Sequence, residues 1–197
     1  MSLPAVEPAP PRFWNVPNSL TIARLGMAFV LFGLIAGGSY VAALAVFGLA
    51  ALTDALDGYF ARLLGQSTAI GRQLDPLVDK VMVSGGFIYL LAIPGTGLAP
   101  WMVTAIVVRE LLIQWLRSLL EGRGEAFGAK MAGKLKTLTQ CLAIAAILLA
   151  LAVHPARPWL VARDALTWAA VGLTLYSGMA YVALAWPKLR GGSAPES

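Results

Sequence analysis

Hydrophobic residues dominate this chain in six long runs, which are separated by short polar or glycine- and proline-rich stretches. Each run is about 20 residues long, the length that an α-helix needs to cross the hydrocarbon core of a membrane. The interruptions carry turn-forming residues, such as Gly37 and Gly38 or Pro94 and Gly95. The pattern predicts an all-α integral membrane protein with six transmembrane helices, at approximately residues 19–37, 40–62, 74–93, 100–120, 135–153 and 162–186.

Composition supports the membrane assignment. Of the 197 residues, 58% are hydrophobic and only 13% are charged, and the mean hydropathy is +0.74. Six crossings use most of this length, which excludes a large water-soluble domain beside them. We expect one six-helix transmembrane domain at 14–187, with flexible tails at 1–13 and 188–197. The first tail lacks the basic segment of a secretory signal, so a cleaved leader is not expected.

The basic residues are distributed unevenly between the two ends of the predicted helices. Of the 15 lysines and arginines, all but Arg157 and Arg163 belong to the end that also carries both termini. The positive-inside rule therefore predicts that both termini are cytoplasmic. Because these cations adjoin apolar runs, anionic lipid or phosphate is the expected partner, and nucleic acid is not.

Four aspartates lie where the second predicted helix ends and the third begins, at the cytoplasmic end. They share two helix faces with small residues, since one set recurs at i, i+3, i+4 and i+7 and the other at every fourth position. An aspartate deep in a membrane helix costs roughly 2.5–3.5 kcal/mol, so these carboxylates need a compensating charge. The residues on the two faces are Asp54, Asp57, Gly58 and Ala61, and Gly71, Asp75 and Asp79.

A divalent cation is the compensation that this pattern favours. A tight loop makes the two helices antiparallel neighbours, so the acidic faces converge, and hard oxygen ligands suit Mg²⁺, Mn²⁺ or Ca²⁺. The small residues would let a ligand approach the backbone, and Arg62 offers a fork for phosphate. The alternative is purely structural: the small residues pack helices, and the aspartates pair with Arg62, Arg72 and Lys80.

In chain order, Asp54 to Asp79 reads Asp, two residues, Asp-Gly, two residues, Ala-Arg, eight residues, Gly, three residues, Asp, three residues, Asp. This resembles the signature of the CDP-alcohol phosphotransferase family. The resemblance implies a six-helix membrane fold and displacement at the phosphorus of a CDP-linked donor. The hydroxyl of an acceptor alcohol is the nucleophile, CMP is released, and two divalent cations, Mg²⁺ or Mn²⁺, clamp the pyrophosphate.

The resemblance also implies a role for each aspartate. Asp54, Asp57 and Asp75 hold the metal nearer the nucleotide, Asp75 and Asp79 face the second metal, and Asp79 takes the acceptor's proton as general base. The implied binding residues for the CDP-linked donor are Asn18, Thr21, Asp54, Gly58, Ala61, Arg62 and Gly71.

Two further stretches resemble the bacterial phosphatidylglycerophosphate synthases, a branch of this family. One is Pro17-Asn18-Ser19-Leu20-Thr21 with Arg24, although Asn18 or Ser19 could simply cap a helix and Arg24 could snorkel to lipid headgroups. The other comprises the cations Arg109, Arg117, Lys134 and Lys136, beside Glu110, which we expect to orient one of them. This second resemblance implies CDP-diacylglycerol as donor and glycerol 3-phosphate as acceptor, with these four cations binding the acceptor's phosphate. Lys134 and Lys136 could instead bind anionic headgroups.

Other family members use inositol phosphate, serine or phosphatidylglycerol as acceptor, and the aspartate motif alone does not separate them. A different class, a cation transporter, also places carboxylates in the membrane, but the chain shows no internal repeat. The resemblance implies a homodimer in the bacterial inner membrane, with the active site facing the cytoplasm. Gly85 and Gly86 are candidates for close packing between its subunits.

Overall fold

The computed structural model of this protein is a bundle of helices. It describes residues 16–64, 69–122, 131–153 and 156–190, apart from the side chains at 16–18, 55–64, 69–73, 75, 121, 131, 132, 134 and 188–190. Across these ranges the regular secondary structure is α-helical, in six helices. They are α1 (Val16–Ala36), α2 (Tyr40–Leu64), α3 (Ala69–Leu91), α4 (Pro100–Glu121), α5 (Met131–Val153) and α6 (Arg157–Arg190).

Each helix coincides with one of the hydrophobic runs, so the predicted number and order of helices are confirmed for the described ranges. The largest differences are at the starts of α3 and α6, which begin at Ala69 and Arg157 rather than near residues 74 and 162. The added residues of α6 include a proline. Pro158 stands in its first turn, where the missing N–H of proline costs no helical hydrogen bond. The residues from Arg157 to Val161, which precede the predicted run, are therefore part of the helix.

Three helices have the length and hydropathy of a membrane span among the described residues: α1, α5 and α6. In α2 the described side chains end at Asp54, so only its first apolar part, Tyr40–Asp54, is described. In α3 and α4, charged residues such as Asp79, Lys80, Arg109 and Glu110 interrupt the apolar sequence. The structure therefore supports a membrane protein, and in α4 the charged residues that interrupt the apolar sequence belong to the candidate site.

The helices pack around one main apolar core, which Leu31, Phe87, Ile106 and Ile147 help to fill from α1, α3, α4 and α5. Helix α1 packs against α2 and α3, α5 packs against α2, α3 and α6, and α4 packs against α3 and α6. A smaller core near the end of the bundle joins α4 to α6. This packing brings the start of α1, the end of α2 and the start of α3 together.

Gly85 and Gly86 lie inside the bundle. A Cβ on Gly85 would come within 2.2 Å of the Phe32 ring of α1, and one on Gly86 would come within 3.3 Å of Ile144 of α5. The expectation that these glycines serve subunit contacts is therefore wrong, since their missing side chains make room for neighbouring helices of the same chain.

The turn between α3 and α4 is held from α6 at the opposite end from the aspartates. Gly95 and Gly97 have φ of 82° and 76°, a left-handed conformation that glycine adopts without strain. Arg163, buried in α6, donates to the carbonyl oxygen of Gly95 at 2.6 Å and to Asp164 Oδ1 at 2.6 and 2.9 Å. This arginine is thus a structural anchor, remote from the candidate site.

Candidate active site

An ion-paired group, here called the acidic cluster, joins α1, α2 and α3 and consists of Arg24, Asp54 and Asp79. Arg24 Nη1 lies 2.6 Å from Asp54 Oδ1 and 3.0 Å from Asp79 Oδ1. The arginine side chain is only 1% exposed, whereas the two carboxylates are 48% and 43% exposed. Two carboxylates from different helices therefore converge on one nitrogen, and their other sides remain open to solvent.

The hypothesis that Arg24 snorkels to lipid headgroups is wrong, because its side chain is buried against the aspartates. The sequence did contain a signal for this. Arg24 is in phase with Thr21, Ala28, Leu31 and Ile35, all of which are buried, so it lies on the inward stripe of α1. A cation on such a stripe needs an internal partner.

Asp54 and Asp79 converge as their spacing predicted, but the structure does not test the complete set of four aspartates. Asp57 lies on α2 and Asp75 on α3, and both side chains fall outside the described part. Among the described residues, no three or more His, Cys, Asp or Glu side chains form a metal-binding group. The same limit applies to six other predicted site residues, whose side chains also lie outside the description: Asn18, Gly58, Ala61, Arg62, Gly71 and Lys134.

A second group, here called the basic cluster, consists of Arg109 and Glu110 of α4 and Lys136 of α5. Glu110 Oε1 accepts a hydrogen bond from Lys136 Nζ and lies 3.3 Å from Arg109 Nη1. All three side chains are at most 10% exposed. The expectation that Glu110 orients a neighbouring cation is confirmed, and it contacts two of them.

Helix α6 completes the surroundings of Arg109. Arg109 Nη2 donates to Ser177 Oγ at 3.0 Å, and its guanidinium carbon lies 5.7 Å from the centre of the Tyr181 ring. Gly178 leaves room for this arginine, since a Cβ there would come within 3.0 Å of Arg109 Cγ. The inward direction predicted for Arg109 is therefore confirmed, and α6 fixes its position.

One cavity of about 560 Å³ joins the two clusters. Asp54 and Asp79 line one part of it, and Arg109, Glu110 and Lys136 line another. The remaining walls include an apolar stretch formed by Phe47, Met82, Val83, Ile113 and Leu138. The space thus offers carboxylates, cations and an apolar surface to one bound molecule.

Helix α4 presents a regular face to this cavity, because Glu110, Ile113, Gln114 and Arg117 recur at i, i+3, i+4 and i+7. Arg117 lines the cavity as predicted, and its Nε, like those of Arg24 and Arg109, is buried without a hydrogen-bond partner among the described residues. A buried donor of this kind needs a partner from outside the described residues, and unlike Arg24 and Arg109, Arg117 contacts no carboxylate among them. Arg117 is therefore a candidate for binding an anion.

Sequence reasoning did not assign Lys80, Gln114, Ser177 or Tyr181 to this site. Lys80 lies next to Asp79 on α3, and its Nζ donates to Gln114 Oε1 at 2.7 Å and to the carbonyl oxygen of Pro76 at 3.1 Å. The spacing of Gln114 from Glu110 and Arg117 was a usable signal for the α4 residue. For the α6 residues no local motif was available, because only the packing of α6 on α4 brings them near.

Most of this chain matches one known protein family. The family model described as CDP-alcohol phosphatidyltransferase matches residues 14–176, most of the chain. This chain belongs to the CDP-alcohol phosphatidyltransferase family. The predicted resemblance is therefore confirmed, and the paired aspartates at Asp54 and Asp79 lie within the matched range.

Curated relatives share the family and most of the length. The CDP-diacylglycerol–glycerol-3-phosphate 3-phosphatidyltransferase of Bacillus subtilis is 36% identical over 90% of this chain and 98% of its own length. The protein of the same name from Pseudomonas fluorescens is 36% identical over 89% of this chain and 92% of its own length. A cardiolipin synthase (CMP-forming) of Oryza sativa is 32% identical over 92% of this chain and 60% of its own length.

Proposed function

We propose that this chain is a phosphatidylglycerophosphate synthase. It transfers the phosphatidyl group of CDP-diacylglycerol to a hydroxyl of glycerol 3-phosphate and forms phosphatidylglycerophosphate and CMP. The observation that carries the proposal is the single cavity in which the acidic and basic clusters meet. Relatives of nearly the same length bear the name of this activity, which supports the choice of substrates.

The reaction is a direct displacement at phosphorus. The acceptor oxygen forms a bond to the phosphatidyl phosphorus as the bond from that phosphorus to the CMP oxygen breaks, and CMP leaves with the bonding electrons. Asp79 accepts the proton of the attacking hydroxyl, a role for which it has an exposed carboxylate in the cavity. An aspartyl-phosphate intermediate is the alternative, and it predicts exchange of labelled CMP into the donor without any acceptor.

The acidic cluster fits a divalent cation. Two carboxylate oxygens from separate helices lie within 3.0 Å of one nitrogen, so they already converge on a single positive centre and keep exposed faces. We assign two cations, Mg²⁺ or Mn²⁺, to Asp54, Asp57, Asp75 and Asp79. When bound, they would stabilise the negative charge of the transferring phosphoryl oxygens.

The donor and acceptor occupy different parts of the cavity. The nucleotide of the donor binds beside the acidic cluster, with Asn18, Thr21, Gly58, Ala61, Arg62 and Gly71 as its proposed contacts. The acceptor's phosphate binds at the basic side, where Arg109, Arg117, Lys134 and Lys136 are the proposed ligands. Of these, Arg117 has the strongest structural support, because Arg109 and Lys136 already contact Glu110.

The protein's place in the cell follows from the same proposal. We infer that it lies in the bacterial inner membrane as a homodimer, with six spans, both termini and the active site at the cytoplasmic side. The excess of lysine and arginine at the end that carries the aspartates supports this orientation.

The direct test incubates purified protein with CDP-diacylglycerol, Mg²⁺ and one acceptor at a time, and measures CMP and the lipid formed. We expect CMP release that depends on glycerol 3-phosphate. Release with phosphatidylglycerol alone would instead assign the activity named for the Oryza sativa relative. A protein that releases no CMP with any acceptor would contradict the proposal.

A further inference from the structure

Lys80 differs from three other cations of the two clusters in the partners it contacts. Arg24, Arg109 and Lys136 each contact a carboxylate oxygen. Lys80 Nζ contacts two neutral oxygens, those of the Gln114 side chain and the Pro76 carbonyl, and no carboxylate among the described residues. Among the described residues, its charge is therefore solvated by dipoles and has no carboxylate in direct contact.

Within the described part of the chain, the ammonium group also has one N–H donor without a partner. A lysine has three N–H donors, and the two contacts of Lys80 use two of them. Lys80 lines the cavity, so the third donor is available to a ligand there. Glu110, Arg117 and Asp79 are near enough to act on this ammonium electrostatically, which places it between the acidic cluster and the face of α4.

The partner of Lys80 connects it to a second available cation. Gln114 and Arg117 are three residues apart on α4 and so lie one turn from each other on the cavity face. Arg117 has a buried Nε without a hydrogen-bond partner among the described residues. Two cations from different helices, neither of them in contact with a carboxylate in that part of the chain, therefore flank one part of the cavity.

From this arrangement the structure assigns Lys80 as a ligand of the acceptor's phosphate, acting with Arg117 and oriented by Gln114. Lys80 also lies next to Asp79 on α3, so a small acceptor whose phosphate is bound there has its hydroxyl end near the base. This assignment rests on the proposed function, since it names a binding residue of the same site. Gln114 is a positioning residue, because it acts through Lys80.

The kinetic test compares Lys80→Met with wild type. We expect the KM for glycerol 3-phosphate to rise about 10- to 100-fold, the effect of losing one charge-assisted hydrogen bond, with little change in the KM for CDP-diacylglycerol. Lys80→Arg should recover part of the loss because it keeps a cation. Arg157→Met, which removes an exposed cation from the start of α6, is the matched control and should leave both KM values unchanged.

The role of Gln114 is tested by combining variants. Gln114→Leu should raise the acceptor's KM by less than Lys80→Met does, because the lysine is still present but less well oriented. The double variant should be no worse than Lys80→Met alone, since Gln114 acts through the lysine. Additive effects would show that Gln114 contacts the acceptor independently and would overturn its positioning role.

A binding measurement separates this inference from the proposed function. Inorganic phosphate and glycerol 3-phosphate should each raise the Tm of the wild-type protein in detergent, and raise that of Lys80→Met less. Equal shifts in both proteins, or an unchanged KM in Lys80→Met, would overturn the assignment. If the wild type turned over no glycerol 3-phosphate but phosphate still stabilised it through Lys80, the anion site would stand and the proposed acceptor would fall.

Discussion

The acidic and basic clusters both pair opposite charges inside the helix bundle, but in opposite proportions. In one, two carboxylates surround a single arginine; in the other, two cations surround a single glutamate. They differ most in exposure, since Asp54 and Asp79 are nearly half exposed whereas Arg109, Glu110 and Lys136 are almost fully buried. The exposed carboxylates of the acidic cluster can therefore take up a cation from solvent, whereas the buried carboxylate of Glu110 has no such access.

This difference assigns different tasks to the two sides. An exposed pair of carboxylates can take up a cation or a proton without rearranging the bundle, as a reacting centre requires. A buried group of charges is fixed by its hydrogen bonds, and separating one member leaves the others uncompensated. We therefore expect changes at Asp79 of the acidic cluster to affect mainly turnover and changes at Glu110 of the basic cluster to affect mainly stability.

The largest expected effect is on turnover, from Asp79→Asn. The amide cannot accept the acceptor's proton, so kcat should fall at least about 10²-fold, as measured by CMP release at saturating substrates. The Tm should change little, because the side chain is 43% exposed. Asp164→Asn removes an aspartate of similar exposure at the other end of the bundle and should keep normal turnover. Full turnover in Asp79→Asn would show that this carboxylate is not the base. It would contradict the different tasks inferred for the two clusters.

The next effect is on stability, from Glu110→Gln. Loss of this carboxylate leaves Lys136 and Arg109 buried without their counter-charge, which costs about 3–5 kcal/mol for a buried ion pair that loses one partner. Denaturant unfolding in detergent, followed by circular dichroism, should show the loss. An unchanged free energy of unfolding would mean that the short contact between Lys136 and Glu110 carries no net stabilisation.

A double-mutant cycle sharpens this result. Because Lys136 is the destabilised partner in Glu110→Gln, removing it as well with Lys136→Met should restore part of the lost stability. We expect a coupling energy of about 0.5–3 kcal/mol between the two positions, from the unfolding free energies of the single and double variants. A coupling near zero would assign the cost of Glu110→Gln to Arg109 instead.

The sequence predicted some of these features and not others, for physical reasons. The helices follow from hydrophobic runs bounded by glycine and proline, and the approach of Asp54 to Asp79 follows from helical spacing across a tight loop. The partners of Arg24 and Lys80 could not be derived in the same way. The stripe of α1 indicates that Arg24 turns inward, but which side chains a cation then meets depends on which helices become neighbours. Here α1 packs on α2 and α3, and α3 packs on α4.

The smallest expected effect concerns Arg24, the internal counter-charge of the acidic cluster. In chelator, Arg24→Gln should lower the free energy of unfolding by only about 1 kcal/mol, since its partners are half exposed and water screens them. Added Mg²⁺ should then raise the Tm of the variant more than that of the wild type, because no internal cation competes for the two carboxylates. Arg157→Gln, which removes an exposed cation, is the control. An equal Mg²⁺-induced rise in the Tm of Arg24→Gln and of wild type would show that the arginine and the metal do not share the same oxygens. The carboxylates of the acidic cluster would then be no more available to a cation than Glu110 of the basic cluster.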